Sequence, residues 1–154
     1  MIVSRAAVSR SLLSVRPATP VDAGKIREML ERAALPADGV ADGLPDVLVG
    51  EVGGTVVAVA RLEVSGTVGL LRSVVVQPDR RSGWRGSEIV RAMLQRAAAQ
   101  GPAELFLLTT TARGFFERLG FRIAPRDAAP LPIQCTEQFS TLCPSSAVLM
   151  RRAL

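Results

Sequence analysis

Between Val76 and Glu88 the chain reads VQPDRRSGWRGSE, which gathers Arg80, Arg81 and Arg85 around Gly83 and Gly86. An apolar run, VGLLRSVVV, leads into this loop. A helical period leads out of it, with Ile89, Val90, Met93, Leu94 and Ala97 on one face from about Ser87 to Gln100. A loop that opens a helix presents backbone N–H groups with no intrahelical acceptor at the positive end of the dipole, and so can hold an anion. Gly83 and Gly86 would let backbone approach a phosphate closely, Ser87 adds a hydroxyl, and the arginines add charge. The same residues also suit plain strand–turn–helix punctuation with solvated arginines, and the loop alone does not choose between the two. Trp84 stands where a tight cradle would favour glycine.

The rest of the inventory narrows the chemistry. The chain has no histidine and no tyrosine, so the commonest general base and the phenolic acid are both missing. Cys135 and Cys143 are the only cysteines, too few to hold a metal without histidine support; no metal is expected, and both thiols read as reduced and cytoplasmic. A formal charge of +5 favours a polyanionic partner, whether nucleic acid, a membrane surface or a nucleotide cofactor. Nucleic acid ranks low, because aromatic stacking platforms and a recognised reading motif are absent. No apolar run approaches the roughly 20 residues that cross a bilayer. Aromatics are 4% of a chain that is 48% hydrophobic, so the core must be aliphatic.

The elements that would position these residues follow from periodicity and punctuation. SVRPAT reads as a short strand entering a helix, with Thr19 as cap, Pro20 in the first turn and Asp22 at the positive dipole end. Ile26, Met29, Leu30 and Ala33 carry that helix to a stop before Pro36, and ALPADGVADGLP is a loop able to act as a lid. DVLVGEV and TVVAVARLEV flank Gly53–Gly54 as a hairpin, and VGLLRSVVV reads as a central strand covered on both faces. AELFLLTTT is a buried strand, ARGFFERLG a short helix stopped by Gly120, and FRIA and AVLMRRAL are strands; one short helix fits around Thr136 to Leu142. The expected fold is α/β in the mixed-sheet (α+β) sense, a central mixed sheet flanked by about four helices. It is one domain over residues 14–154, preceded by a frayed, Arg- and Ser-rich extension over residues 1–13. Regular βαβ alternation and GxGxxG are both missing, which argues against a dinucleotide-binding fold.

VVVQPDRRSGWRGSEIV resembles motif A of the GNAT superfamily of acetyl-CoA-dependent N-acetyltransferases. In that motif V-x-P after the central strand is followed by Arg/Gln-x-x-Gly-x-Gly/Ala opening a helix. Arg81 takes the Arg/Gln place and Gly86 the last Gly/Ala place, while Trp84 falls on the middle glycine. ARGFFERLGF is similar to the family's A-x-x-F-Y-x-x-x-G-F helix, with Phe116 in place of the tyrosine. EVSGTVGLLRSVVV, LFLLTTTARGFFERLGF and LCPSSAVLMRR resemble the GNAT group encoded in arsenic-resistance operons, over roughly residues 14 to 152.

The resemblance implies a GNAT-like fold with acetyl-CoA as cosubstrate and a small-molecule amine as acceptor, an amino-acid-like toxin or an organoarsenical among the choices. It implies coenzyme contacts from Val74, Val75 and Val76, from Arg81, Ser82, Gly83, Trp84, Arg85, Gly86 and Ser87, and from Phe116. Backbone N–H near Val74 or Val76 would face the oxyanion. With the tyrosine replaced, the leaving thiolate would take its proton from water, its conjugate thiol having a pKa of roughly 8–9. Glu63, paired with Arg72, is the expected base, against a plain solvent-facing carboxylate. Thr109, Thr110 and Thr111 are expected to orient substrate or water, against a capping role. Arg72 and Cys143 are expected on the substrate side, Cys143 against a plain structural role as a small hydrophobe. The competing expectations keep the coenzyme site but drop catalysis, giving an acyl-CoA-binding sensor or partner, or set it aside for nucleic-acid binding. A homodimer is a further expectation.

Overall fold

The structure, a computed structural model, describes residues 13–37, 40, 44–78, 84–136, 139 and 146–154. Its strands are β1 (Ser14–Pro17), β2 (Val47–Val52), β3 (Thr55–Ser65), β4 (Val68–Val76), β5 (Glu104–Thr109), β6 (Arg122–Ala124) and β7 (Val148–Ala153). They form one mixed sheet in the spatial order β1-β2-β3-β4-β5-β7-β6. Among the described residues four α-helices accompany it: α1 (Ala23–Arg32), α2 (Trp84–Gln100), α3 (Arg113–Arg118) and α4 (Leu131–Gln134).

β1 to β4 form an antiparallel meander. Gly53 and Gly54, at φ +59° and +81°, make the two-residue turn between β2 and β3, where the strand twist requires positive φ at both positions. β4 then crosses through α2 to β5, the one parallel pair among the described residues. β7 inserts antiparallel between β5 and β6. β4 is thus the central strand that its continuous apolar run predicts.

One face of the sheet buries Ala58, Ala60, Leu62, Leu71, Val76 and Leu107 under α2 and α3, against Ile89, Met93 and Phe116. The opposite face carries two separate clusters. Around α1, Ile26 and Leu30 pack on Val47, Val49, Val59 and Val75. Around α4, Ile133 packs with Leu70, Phe106, Leu108 and Leu149. The seam between these two clusters crosses β4 between Leu70 and Val75, and it is filled by charge.

The start of the first helix is built more tightly than its capping residues alone suggest. A 3-10 turn, Pro20–Asp22, precedes α1. Asp22 is buried, and its carboxylate accepts from both terminal nitrogens of Arg16 (2.7 and 2.9 Å) and from the Thr19 N–H and hydroxyl (2.8 and 3.1 Å). The guanidinium bonds hold this carboxyl well below the usual carboxylate range. Asp22 therefore locks β1 to α1, a stronger role than a dipole contact.

One boundary differs from the sequence reading: α2 begins at Trp84 rather than Ser87, since periodicity locates the first buried position, Ile89, better than the free first turn. The last connection also holds a short helix that the sequence reading does not include, Leu131–Gln134, where Pro132 suits a first turn that needs no N–H donor. Most of the stretch expected to form a short helix, around Thr136 to Leu142, lies outside the described residues. Among the described residues no helix is long and apolar enough to cross a membrane, and no group of acidic, cysteine or histidine side chains could hold a metal.

Candidate active site

β4 and β5 pair only at their beginnings, through Val68↔Glu104, Gly69↔Leu105 and Leu70↔Phe106. Beyond Leu70 and Phe106 the strands part, although each continues: β4 to Val76 against β3, and β5 to Thr109 against β7. Among the described residues, the β5-facing edge of β4 from Leu71 to Val75 has no strand to pair with, a gap in the middle of a sheet.

The local cause lies in the register of β4. Val59 faces Val75 while Arg61 faces Arg72, so the single residue Ala60 stands opposite two, Ser73 and Val74. This is a β-bulge, and Ser73 sits in the left-handed region at φ +57°. A bulge bends its strand and increases the twist, which carries β4 away from β5. It also changes which face each side chain meets. Leu71 points to the α2/α3 side before the bulge, and Val74 and Val76 point to that side after it, while Val75 joins the α1 cluster. In an unbulged strand Leu71 and Val76 would lie on opposite faces.

The gap is a cleft of about 700 Å³ that passes through the sheet. From the α2/α3 side it is walled by Gly86, Phe115 and Phe116, and from the α1 side by Ala33–Pro36. β4 lines it from Leu71 to Val76, and β5 and the turn after it from Leu107 to Thr111. Ala34, at the C-terminal end of α1, has φ +55°. The two non-glycine residues with positive φ among those described, Ala34 and Ser73, thus both line this cleft. Strain of this kind, on the order of 1–3 kcal/mol per residue, collects at functional sites. A second cavity of about 210 Å³ adjoins it on the α1 side, sharing Ala33 and Val75 and reaching Glu28 and Arg32.

A glycine is needed at position 86 for packing. A Cβ built there would lie 3.2 and 3.3 Å from two atoms of the Phe115 ring, so the missing side chain lets the aromatic close over the first turn of α2. Phe115 stacks edge-on against Phe116 (5.0 Å between ring centres), and Phe116 against Phe121 (5.7 Å). Phe116 is buried and lines the cleft where the family pattern has a tyrosine, so this wall has no phenol.

The charged seam meets the cleft at Arg72. Arg72 is only 8% exposed, and its Nη1 donates to Glu63 Oε1 at 2.8 Å. Arg61 approaches the same oxygen at 3.6 Å. The Nε groups of Arg61 and Arg72 are both buried without a partner. Glu63 stands one step behind Arg72 and is not among the residues that line the cleft.

The remaining expected site residues fall as follows. Val74, Val75, Val76, Gly86, Phe116 and Arg72 come together around the cleft, with Thr109, Thr110 and Thr111 at its β5 rim. The Thr109 hydroxyl accepts the Ala112 N–H at 3.0 Å, which ties the turn between β5 and α3. Arg85 and Ser87 lie in the first turn of α2, half-buried. Trp84 opens that helix. Arg81, Ser82, Gly83 and Cys143 lie outside the described residues. Sequence reasoning did not find Ser73 or Arg61, and it marked Ala34–Pro36 only as the start of a loop able to act as a lid. A bulge inside a continuous apolar run leaves no break in hydrophobicity to detect, and small apolar rim residues resemble an ordinary helix end.

The fit to a coenzyme follows from the β4 edge. Unpaired strand backbone can accept an extended chain bearing amides, and the apolar, aromatic α2/α3 wall suits its methylenes. Comparison with known proteins agrees with this geometry. Residues 44–123, just over half of the chain, match the family model described as the acetyltransferase (GNAT) domain. An amino-acid acetyltransferase of Yersinia enterocolitica is 34% identical over 73 residues, a stretch covering 47% of this chain and only 16% of that protein. Among solved structures, N-acetylglutamate synthase from Neisseria gonorrhoeae, complexed with coenzyme A and N-acetyl-glutamate, superposes with a TM-score of 0.82 at 19% identity, over 95% of this chain and 36% of its own. Rv2747 from Mycobacterium tuberculosis, solved in complex with CoA, gives a TM-score of 0.76 at 21% identity, over 92% of this chain and 99% of its own. With residues 44–123 matched to that family model, the chain belongs to the acetyltransferase (GNAT) domain family.

Proposed function

We propose that the protein transfers the acetyl group of acetyl-CoA to the amine of a small, amino-acid-like molecule. The observation that carries this reading is the cleft through the sheet, whose two ends differ in chemistry. The α2/α3 end is apolar and aromatic and opens at the first turn of α2, which suits the pantetheine arm and, beyond it, the phosphates. The α1 end carries Arg72, which suits an anionic acceptor. The amino-acid acetyltransferase relative and the N-acetyl-glutamate held by one structural neighbour support the same acceptor class. Resemblance to the arsenic-resistance group adds phosphinic and arsinic amino acids to the candidates.

The coenzyme supplies the activated acetyl thioester; the chain supplies placement. The opened β4 edge holds the thioester in extended register, and backbone N–H near Val74 or Val76 stabilises the developing oxyanion. The acceptor enters from the Ala33–Pro36 rim and attacks as the free amine. Its proton leaves to water at the exposed Thr110 and Thr111 rim, and the thiolate regains one from solvent, since a thiol pKa of roughly 8–9 makes that step inexpensive.

The phenol-free wall at Phe116 favours one alternative, an acyl-CoA-binding protein with little turnover. Two measurements separate the readings. Acetyl-CoA raises the melting temperature under both, by mass action. Release of free thiol in the presence of amino acids and their phosphinic and arsinic analogues occurs only under the first. A protein that is stabilised by acetyl-CoA yet releases no thiol with any of these acceptors is the sensor; no stabilisation at millimolar coenzyme refutes both.

A further inference from the structure

The charge in the seam does not balance. Arg61 and Arg72 stand directly opposite each other on β3 and β4, a like-charged pair in register, and they share the single carboxylate of Glu63. Among the described residues no other acid meets either guanidinium. The trio therefore keeps one positive charge in excess, in a place where Arg72 is more than nine-tenths buried and lines the cleft. Its Nε, and that of Arg61, have no acceptor. A buried cation with an unsatisfied donor is costly unless an anion arrives to complete it. An anionic acceptor completes it.

We infer that Glu63 is the residue that sets the charge of the acceptor: it cancels one of two guanidiniums, so the acceptor half of the cleft accepts one negative charge. The inference rests on the acetyltransferase reading above and assigns the charge class within it. The ligand is an amine bearing one anionic group, a carboxylate or a singly ionised acid of similar size, set beside Arg72. Glu63 acts through Arg72, both by fixing the guanidinium at 2.8 Å and by limiting the net charge, and is a positioning residue that stays out of the proton transfers.

The test compares three acceptors on each of several side chains (those of alanine, glutamate and methionine): the amino acid, its 1-aminophosphonic analogue at a pH where the phosphonate is doubly ionised, and the decarboxylated amine. Glu63→Gln keeps an oxygen to accept from Arg72 but raises the net charge of the trio to two. It is expected to move the ratio of kcat/KM for phosphonate over carboxylate upward by about tenfold or more, mainly through KM, with kcat on the carboxylate changed little. Arg61→Gln changes the charge in the opposite sense without touching the cleft wall. It is expected to lower the preference for carboxylate over neutral amine by about tenfold. Melting temperatures and the acetyl-CoA response of both variants are read in parallel.

If Glu63→Gln depresses all three acceptors equally, or bends the pH profile of kcat as loss of a base would, the inference is wrong. It is equally wrong if Arg61→Gln leaves carboxylate selectivity intact. Should Glu63→Gln fail to fold, the Arg61→Gln result decides alone. Should the wild-type protein bind acetyl-CoA but turn over none of the acceptors, the catalytic reading falls. The same ratios then come from calorimetric titration of the three acceptor classes into the coenzyme-saturated protein, and equal affinity for neutral and anionic amines overturns the charge assignment by itself.

Discussion

Deletion of Ser73 separates the needs of the sheet from the needs of the site. Leu71 and Arg72 are already in register with Leu62 and Arg61, and Val75 and Val76 with Val59 and Ala58. Removing one of the two residues opposite Ala60 would leave every other β3–β4 pair in place and let Val74 face Ala60. The facing of Val74, Val75 and Val76 would be unchanged, because the deletion removes the one residue that interrupts alternation. A non-glycine residue in the left-handed region costs roughly 1–2 kcal/mol, and that cost disappears. In a chain of this size 1 kcal/mol moves the midpoint by about 2–4 °C, so the deletion is expected to raise the melting temperature by about 2–8 °C. Without the bulge, β4 loses the bend that carries it from β5, and the coenzyme end of the cleft narrows. Acetyl-CoA at 100 times its Kd would stabilise the wild-type protein by about 2.7 kcal/mol. The deletion variant is expected to lose that response, and thiol release with it. The assay is a pair of thermal melts with and without acetyl-CoA, supported by calorimetric titration. A variant that melts lower than wild type, or that keeps its coenzyme response, would refute the claim that the bulge is a functional strain rather than a structural need.

Two further outcomes follow from single contacts. Asp22→Asn is expected to destabilise by about 1–3 kcal/mol at neutral pH, because an amide presents donors where the carboxylate accepted four bonds. Since the folded Asp22 carboxyl titrates below its unfolded value, its contribution is present above about pH 4 and is lost as pH falls toward the folded value. The melting temperature of Asp22→Asn should therefore fall less steeply than wild type on acidification below pH 5, and parallel curves would exclude the lock. Gly69→Val is the second: a Cβ there would lie 2.6 Å from Leu105 Cδ2 and 3.1 Å from Leu62 Cδ1, at the closed end of the cleft. Strand propensity favours valine, but overpacking costs about 1–3 kcal/mol and should dominate. A urea midpoint equal to or above wild type would show that Leu105 yields freely.

The candidate site illustrates how a reading from residues and a reading from space divide the work. The sequence reading pairs Glu63 with Arg72, and the two meet at 2.8 Å across adjacent strands. That the pair leaves Glu63 outside the cleft wall, with Arg61 completing an unbalanced trio, depends on β3–β4 register. Thr109 suits substrate or capping by sequence, and its hydroxyl is engaged by the Ala112 N–H in the turn before α3. Gly86 looked like a phosphate glycine, and its space is taken by the Phe115 ring.

What the sequence by itself determined is what local chemistry imposes. Periods of 2 and 3.6 marked the strands and helices, paired glycines marked the β2–β3 turn, and the absence of histidine and tyrosine limited the proton chemistry. The order of motifs named the family. Tertiary structure alone decided where the sheet opens, which end of the opening is charged, and which hydroxyl is engaged in a turn. The physical reason is that these depend on one extra residue in one strand. A bulge inside a run that is apolar on both faces leaves no pattern in hydrophobicity, yet it reverses the facing of every side chain that follows and bends the strand away from its neighbour.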